Sequence, residues 1–209
     1  MTTLSVDARD DSTTLPKTLR SGIALGLLQS ALVALFGFLQ PRLEGSLELV
    51  ICGVILLVGI AVTITWPGLQ TRARTIEGIA GAAGIGFTAV ILFLLVDVAL
   101  FQPLGLWTNR WLEIGGGSNW WYHPVWWMVG TYLPLMGAWI LANQTERSGR
   151  PSPVALVVGT FVLALVSLGI AVVIGFPPGA RFGLGGFAVA VLPALALLTV
   201  ISGLGTGRR

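Results

Sequence analysis

The chain has 209 residues, of which 55% are hydrophobic and only 10% are charged; its mean hydropathy is +0.87 and its net charge +3. Soluble domains carry about 25% charged residues, so this composition excludes a water-soluble globular protein and indicates an integral membrane protein. The positive charge does not indicate nucleic-acid binding, because the longest basic cluster is the pair Arg208 and Arg209. The single cysteine, Cys52, excludes an intrachain disulfide.

Six apolar runs are long enough to cross a bilayer, which takes about 20 residues of α-helix. The backbone has no water partners in lipid, so each run must be helical. The predicted spans are Ser21–Leu39, Leu47–Trp66, Gly78–Phe101, Pro124–Ala142, Pro153–Phe176 and Leu184–Gly203. The predicted fold class is therefore all-α, a polytopic membrane helix bundle over residues 20–204.

The two ends of the chain are predicted to be short cytoplasmic segments. The first sixteen residues are polar and rich in Thr and Asp, so residues 1–19 are predicted to form a flexible tail. Residues 205–209 form the C-terminal segment. Of the Lys and Arg residues outside the spans, nine lie in the tail, second loop, fourth loop and C-terminus, and three lie in the other loops. The positive-inside rule then puts both termini in the cytoplasm and loop 102–123 outside.

Small and polar residues on the spans predict how the helices pack. Small residues recur every four positions on the first and third spans, which favours close helix contact within the bundle or with another chain. These stripes are Gly22, Gly26 and Ser30, and Gly78, Ala82 and Gly86. The side chains expected to form interhelical hydrogen bonds are Gln29, Thr88, Thr131, Tyr132, Thr160, Ser167 and Thr199.

The segment Leu104–Trp127 contains six of the eight tryptophans and the only histidine. Its first part, up to Ile114, has apolar residues at helical spacing, which predicts a short amphipathic helix in the outer interface. Trp and Tyr favour the headgroup layer, because each has an apolar ring and a polar group. The aromatic excess indicates either a lipid anchor or a surface that binds a partner or a flat apolar ligand such as a pigment. The candidate binding residues are Trp107, Trp111, Trp120, Trp121, Tyr122, Trp126 and Trp127.

Asp97 is the one carboxylate clearly inside a span. Intramembrane carboxylates are costly to insert and usually have a role. Asp97 lies near the outer end of its span, so one interpretation pairs it with Arg42, Arg110 or Arg181. The other interpretation is a proton or cation site that includes Glu48.

His123 is a candidate for a single axial bond to haem or a chlorin, or else an interfacial polar residue. No second histidine or nearby thiol completes a usual metal site, so no metal site is predicted and the cofactor is unknown. The sequence contains no phosphate-binding glycine loop, no catalytic triad pattern and no paired carboxylates in a span. We therefore predict no catalytic residues and no enzymatic activity.

Two functions remain open. The first is a non-catalytic accessory or scaffolding subunit of a larger membrane complex, for example an energy-transducing one, which docks through the Trp-rich segment. The second is a small-solute or ion transporter or channel with Asp97 as its ionisable site. A weak echo of Gly59–Pro67 in Gly169–Pro177 would support an inverted repeat typical of transporters. The expected partners are membrane lipid and other membrane subunits, without nucleic acid, and the expected location is a prokaryotic cytoplasmic (inner) membrane.

Overall fold

A computed structural model describes residues 13–106 and 122–204. All regular structure in these residues is helical. The helices are α1 (Leu15–Leu39), α2 (Gly45–Thr71), α3 (Ile76–Val96), α4 (Tyr122–Ser148), α5 (Pro153–Ile174) and α6 (Leu184–Gly203). All six are long and apolar enough to span a membrane. The predicted six-helix bundle is confirmed, whereas the short interfacial helix lies almost entirely outside the described residues.

Several helices are longer than the apolar runs that predicted them. The predicted second span ends at Trp66, but α2 continues through Pro67 to Thr71. Pro67 is buried inside the helix, and the chain leaves the helix only at Arg72, whose φ is 51°. Such prolines are tolerated in membrane helices because neighbouring helices support the interrupted backbone. The first helix begins at Leu15, within the predicted tail, and α4 runs on to Ser148.

The small-residue stripes face other helices of the same chain. Gly22 and Gly26 pack against α3, where an added Cβ would lie 2.9 Å from the carbonyl oxygen of Ile85 and 2.7 Å from that of Ala89, respectively. On α3, Gly86 packs against α4, where its added Cβ would lie 2.4 Å from the carbonyl oxygen of Gly130. The predicted close helix contacts therefore form within the bundle.

Helix α4 is the centre of the bundle and contacts α2, α3 and α6. Its closest approach is to α2, where a Cβ on Gly137 would lie 1.9 Å from the carbonyl oxygen of Ile64. Helices α5 and α6 pack on each other and join the rest mainly through α4. The largest core cluster includes Ile64 of α2, Leu141 of α4, Leu168 of α5 and Leu195 of α6.

Only some of the side chains predicted to form interhelical hydrogen bonds do so. The Gln29 amide nitrogen donates to the Thr63 hydroxyl oxygen at 3.0 Å, and the Tyr132 hydroxyl donates to the Leu192 carbonyl oxygen at 2.8 Å. In contrast, the hydroxyls of Thr88, Thr131 and Thr160 donate to carbonyl oxygens four residues earlier in their own helices. A threonine hydroxyl can reach that carbonyl without a partner helix, so this part of the prediction was wrong.

Candidate functional site

Consecutive helices run in opposite directions, so the bundle has two ends. At one end lie the end of α3 with Asp97 and the start of α4; we call this the Asp97 end. At the other, Asn143 of α4 donates to Ser202 of α6 at 2.9 Å; we call this the Asn143 end. The sequence-based prediction of orientation places the Asp97 end outside and the Asn143 end in the cytoplasm.

Asp97 is fully buried and begins a five-residue π-helical turn, Asp97–Phe101, which follows α3 directly. The wider turn brings Gln102 back over Asp97. The Gln102 backbone N–H donates to the Asp97 carbonyl oxygen at 2.9 Å, and the Gln102 side-chain Nε2 donates to Asp97 Oδ2 at 2.7 Å. Single π turns are rare and occur often at functional sites.

An aromatic cluster lies beside this turn. Phe93 and Phe101, four residues before and after Asp97, are both buried. Trp126 of α4 packs on Phe93 with a ring-centroid distance of 4.8 Å. From the other side, Leu106 covers Gly37 of α1, where an added Cβ would lie 3.0 Å from Leu106 Cγ. Phe101, at the end of the Asp97 turn, therefore packs in an apolar cluster with side chains of α1, α3 and α4, whereas Val98 and Leu100 of the same turn are exposed.

The second predicted carboxylate, Glu48, also has a glutamine donor. Gln40, in the short 3-10 turn Gln40–Arg42 after α1, donates from Nε2 to Glu48 Oε1 at 2.9 Å. Of the arginines proposed as partners for Asp97, Arg42 lies over the ring of Phe38 at 3.8 Å from its centroid. Each carboxylate thus has a glutamine donor, and the predicted partner Arg110 lies outside the described residues.

Most of the predicted aromatic surface lies outside the described residues, including Trp107, Trp111, Trp120 and Trp121. Tyr122 and His123 begin α4, but their side chains are not described. Trp127 is described: it packs on Phe87 of α3 with a centroid distance of 5.1 Å and is 37% exposed. Trp126 and Trp127 therefore contact α3, and Trp127 also presents surface outside the bundle.

The two copies of the suggested repeat differ in structure. Pro67 lies inside α2 and is buried, whereas Pro177 follows a loop residue after α5 has ended at Ile174. In an inverted repeat, the contact of α2 with α4 would have an equivalent between α5 and α1. Among the described residues, α5 packs principally on α6 instead. The local sequence match is not accompanied by matching helix contacts.

Two sets of residues were not anticipated from the sequence. Gln40 and Gln102 lie in the turns that follow spans, and only the 3-10 and π geometry brings them back to Glu48 and Asp97. The second set lies on α4 near the Asn143 end, where Trp139, Ala142, Asn143 and Glu146 follow the i, i+3, i+4, i+7 pattern of one helix face. That spacing is visible in the sequence and could have indicated that these four side chains share one face of α4.

Within residues 13–106 and 122–204, no three His, Cys, Asp or Glu side chains are grouped so that they could hold a metal ion. The chain matches no family model, no curated protein and no solved structure.

Proposed function

We propose that this protein is a non-catalytic integral subunit of a larger membrane complex and that it docks on its partner through the segment Leu104–Trp127. The proposal is supported most by the exposed apolar side chains at the point where this segment enters α4. Trp127, the last residue of the segment, is 37% exposed, and Met128, which follows it, is 66% exposed. Large aromatic side chains and methionine are enriched at protein–protein interfaces.

The close packing of the bundle also supports a scaffolding role. Helices α2 and α4 approach each other at Gly137 and Ile64, and α3 and α4 at Gly86 and Gly130. An added Cβ at Gly137 or at Gly86 would overlap backbone of the facing helix, so a solute has no space between these helices at those two levels. A transporter normally keeps polar groups or broken helices around a site near the midplane.

Paired alanine variants test the docking proposal. Trp120→Ala with Trp121→Ala removes two aromatics from the segment, and Phe176→Ala with Phe182→Ala removes two exposed aromatics from the loop between α5 and α6. After purification in mild detergent, we expect the first pair to release a stoichiometric partner and the second pair to retain it. Truncation of a dominant interface aromatic costs about 2 kcal/mol or more, which is about thirtyfold in affinity. Full retention by both pairs would contradict the proposal.

A second candidate function, ion or proton transport, is favoured by one observation: Asp97 is a fully buried carboxyl in a π-helical turn. Protein reconstituted in liposomes tests it through flux of protons or monovalent cations. Asp97→Asn would abolish flux if Asp97 carries the ion, and Glu44→Gln serves as the control, because it changes an exposed carboxyl at the same end, just before α2. Absence of flux in the wild-type protein would leave the subunit proposal as the better account.

A further inference from the structure

A cleft of about 370 Å³ lies at the Asn143 end, between the start of α3 and the last turns of α4. This volume is within the range of about 300–1,000 Å³ typical of ligand sites. The lining of the cleft includes Arg74, Thr75 and Glu77 at the start of α3, and Trp139, Asn143 and Glu146 on α4. The cleft is separate from the Asp97 end and from the aromatic segment, so it is independent of the docking proposal.

The walls of the cleft are polar at its outer edge and apolar at depth. Glu146 lies near the end of α4, and Trp139 lies seven residues earlier on the same face, about 10 Å further into the bilayer at 1.5 Å per residue. Trp139 is 39% exposed and Ile76 is 64% exposed, so both present apolar surface beside the opening. Tryptophan is typical of the boundary between headgroups and acyl chains. A ligand that matches this gradient is an amphiphile whose polar part is at the membrane surface.

The charges of the cleft specify the polar part of that ligand. One guanidinium, Arg74, provides the paired donors that suit a phosphate. Two carboxylates, Glu77 and Glu146, and the ring of Trp139 suit a cationic amine. With two carboxylates against one guanidinium, the lining favours a headgroup that carries both signs over one that is purely anionic.

Asn143 adds a buried polar side chain to the wall of the cleft. It is only 8% exposed, and its Nδ2 donates to the Ser202 hydroxyl oxygen at 2.9 Å. This bond fixes the carboxamide, whose Oδ1 is a further acceptor for an ammonium group. The neighbouring Arg147 instead donates to the Ile201 carbonyl oxygen on α6 at 3.5 Å, so its positive charge is directed away from the cleft.

We propose that this cleft binds one phospholipid with an amine-bearing zwitterionic headgroup, such as phosphatidylethanolamine. The phosphate contacts Arg74 and the Thr75 hydroxyl at the start of α3. The ammonium group lies between Glu77, Glu146 and Asn143, and an acyl chain descends along Trp139. Positive-inside counting assigns this lipid to the cytoplasmic leaflet.

Native mass spectrometry tests the proposal. The full chain is purified in detergent, phosphatidylethanolamine or phosphatidylglycerol is added, and the lipid that stays bound after the detergent is removed in the spectrometer is counted. We expect one phosphatidylethanolamine to be retained per chain, and phosphatidylglycerol to be retained at least about tenfold more weakly, which corresponds to the loss of one charge-assisted contact. Equal retention of the two lipids would overturn the headgroup assignment.

Charge variants locate the site. Arg74→Gln is expected to weaken retention of phosphatidylethanolamine about tenfold, whereas Arg150→Gln, an exposed arginine at the same end but outside the cleft lining, should leave it unchanged. Glu146→Gln should shift the preference toward phosphatidylglycerol, a change in selectivity that a mere loss of folding would not produce. Equal effects of Arg74→Gln and Arg150→Gln would overturn the proposal, as would an unchanged preference in Glu146→Gln.

A soluble competitor separates a lipid site from a site for a free phosphate compound. Millimolar glycerophosphoethanolamine carries the same headgroup without acyl chains. Because part of the site is apolar, we expect it not to displace the retained lipid. Displacement by this compound would show that the headgroup alone is recognised and would overturn the assignment to a membrane lipid.

Discussion

Gln102 holds Asp97 through two hydrogen bonds, one from its backbone N–H to the Asp97 carbonyl oxygen at 2.9 Å and one from its side-chain Nε2 to Asp97 Oδ2 at 2.7 Å. The five-residue spacing of a π turn makes both bonds possible at once. The buried carboxyl is therefore bonded by its own helix extension, and this arrangement predicts a structural role for the pair.

Asp97→Asn is expected to lower the free energy of unfolding by about 1 kcal/mol, because a carboxamide oxygen is a weaker acceptor than a carboxylate. Gln102→Ala removes the same side-chain bond and should cost a similar amount. The double variant should cost less than the sum of the two, measured by unfolding in mixed micelles. A simple sum of the two costs would contradict the bond as the source of the effect.

Gly137→Ala is expected to destabilise the bundle by about 3 kcal/mol, at the upper end of the usual cost of overpacking. The added Cβ would lie 1.9 Å from the carbonyl oxygen of Ile64, and backbone cannot move aside as a side chain can. Gly169→Ala is the matched control, since nothing lies within 4 Å of its added Cβ; alanine there should be neutral or stabilising by up to about 1 kcal/mol. Equal unfolding free energies for the two variants would show that α2 and α4 are further apart than described.

The hydrogen bond from Gln29 to Thr63, which links α1 and α2 at 3.0 Å, is expected to contribute about 0.6 kcal/mol and at most about 1.7 kcal/mol. A double-mutant cycle with Gln29→Ala and Thr63→Val measures this coupling, because valine keeps the shape of threonine. The pair Thr88→Val and Gln29→Ala is the control, as the Thr88 hydroxyl donates within its own helix. Coupling as large in the control pair would contradict a specific bond between Gln29 and Thr63.

The orientation is tested by labelling single cysteines in intact cells with a membrane-impermeant thiol reagent. Ser118→Cys should react from outside and Ser148→Cys should not, because nine of the twelve Lys and Arg residues belong to the tail, the C-terminus and the two loops on the Ser148 side of the bundle, which the positive-inside rule predicts to be cytoplasmic. The native Cys52 is fully buried and should stay unlabelled in the unmodified protein. The opposite labelling pattern would reverse the assignment of both ends.

The sequence was most informative where apolar length and small-residue spacing determine the structure. The predicted bounds of the last span, Leu184–Gly203, agree with α6, and the stripe at Gly22 and Gly26 faces α3. The extension of α2 past Pro67 was missed, because a proline normally marks a helix end and only tertiary packing supports it here. The π turn at Asp97 was also missed, since a single wide turn leaves no periodic signal in the sequence.

The candidate sites were predictable only in part, for a related reason. Asp97 and Glu48 were identified from the rarity of charge in spans, but their donors Gln102 and Gln40 come from turns whose geometry composition does not reveal. The cleft near Asn143 joins residues of two separate segments, around Arg74 and around Trp139. A pattern within one helix indicates only one wall of such a site.

Site-specific photo-crosslinking in native membranes tests the docking proposal most directly. A photoreactive amino acid replaces Trp120 in one variant and Phe182, which is 70% exposed in the loop between α5 and α6, in the other. We expect a discrete adduct with another membrane protein from position 120 and lipid adducts alone from position 182. Lipid adducts alone from both positions, or the same protein adduct from both, would contradict docking through the Trp-rich segment.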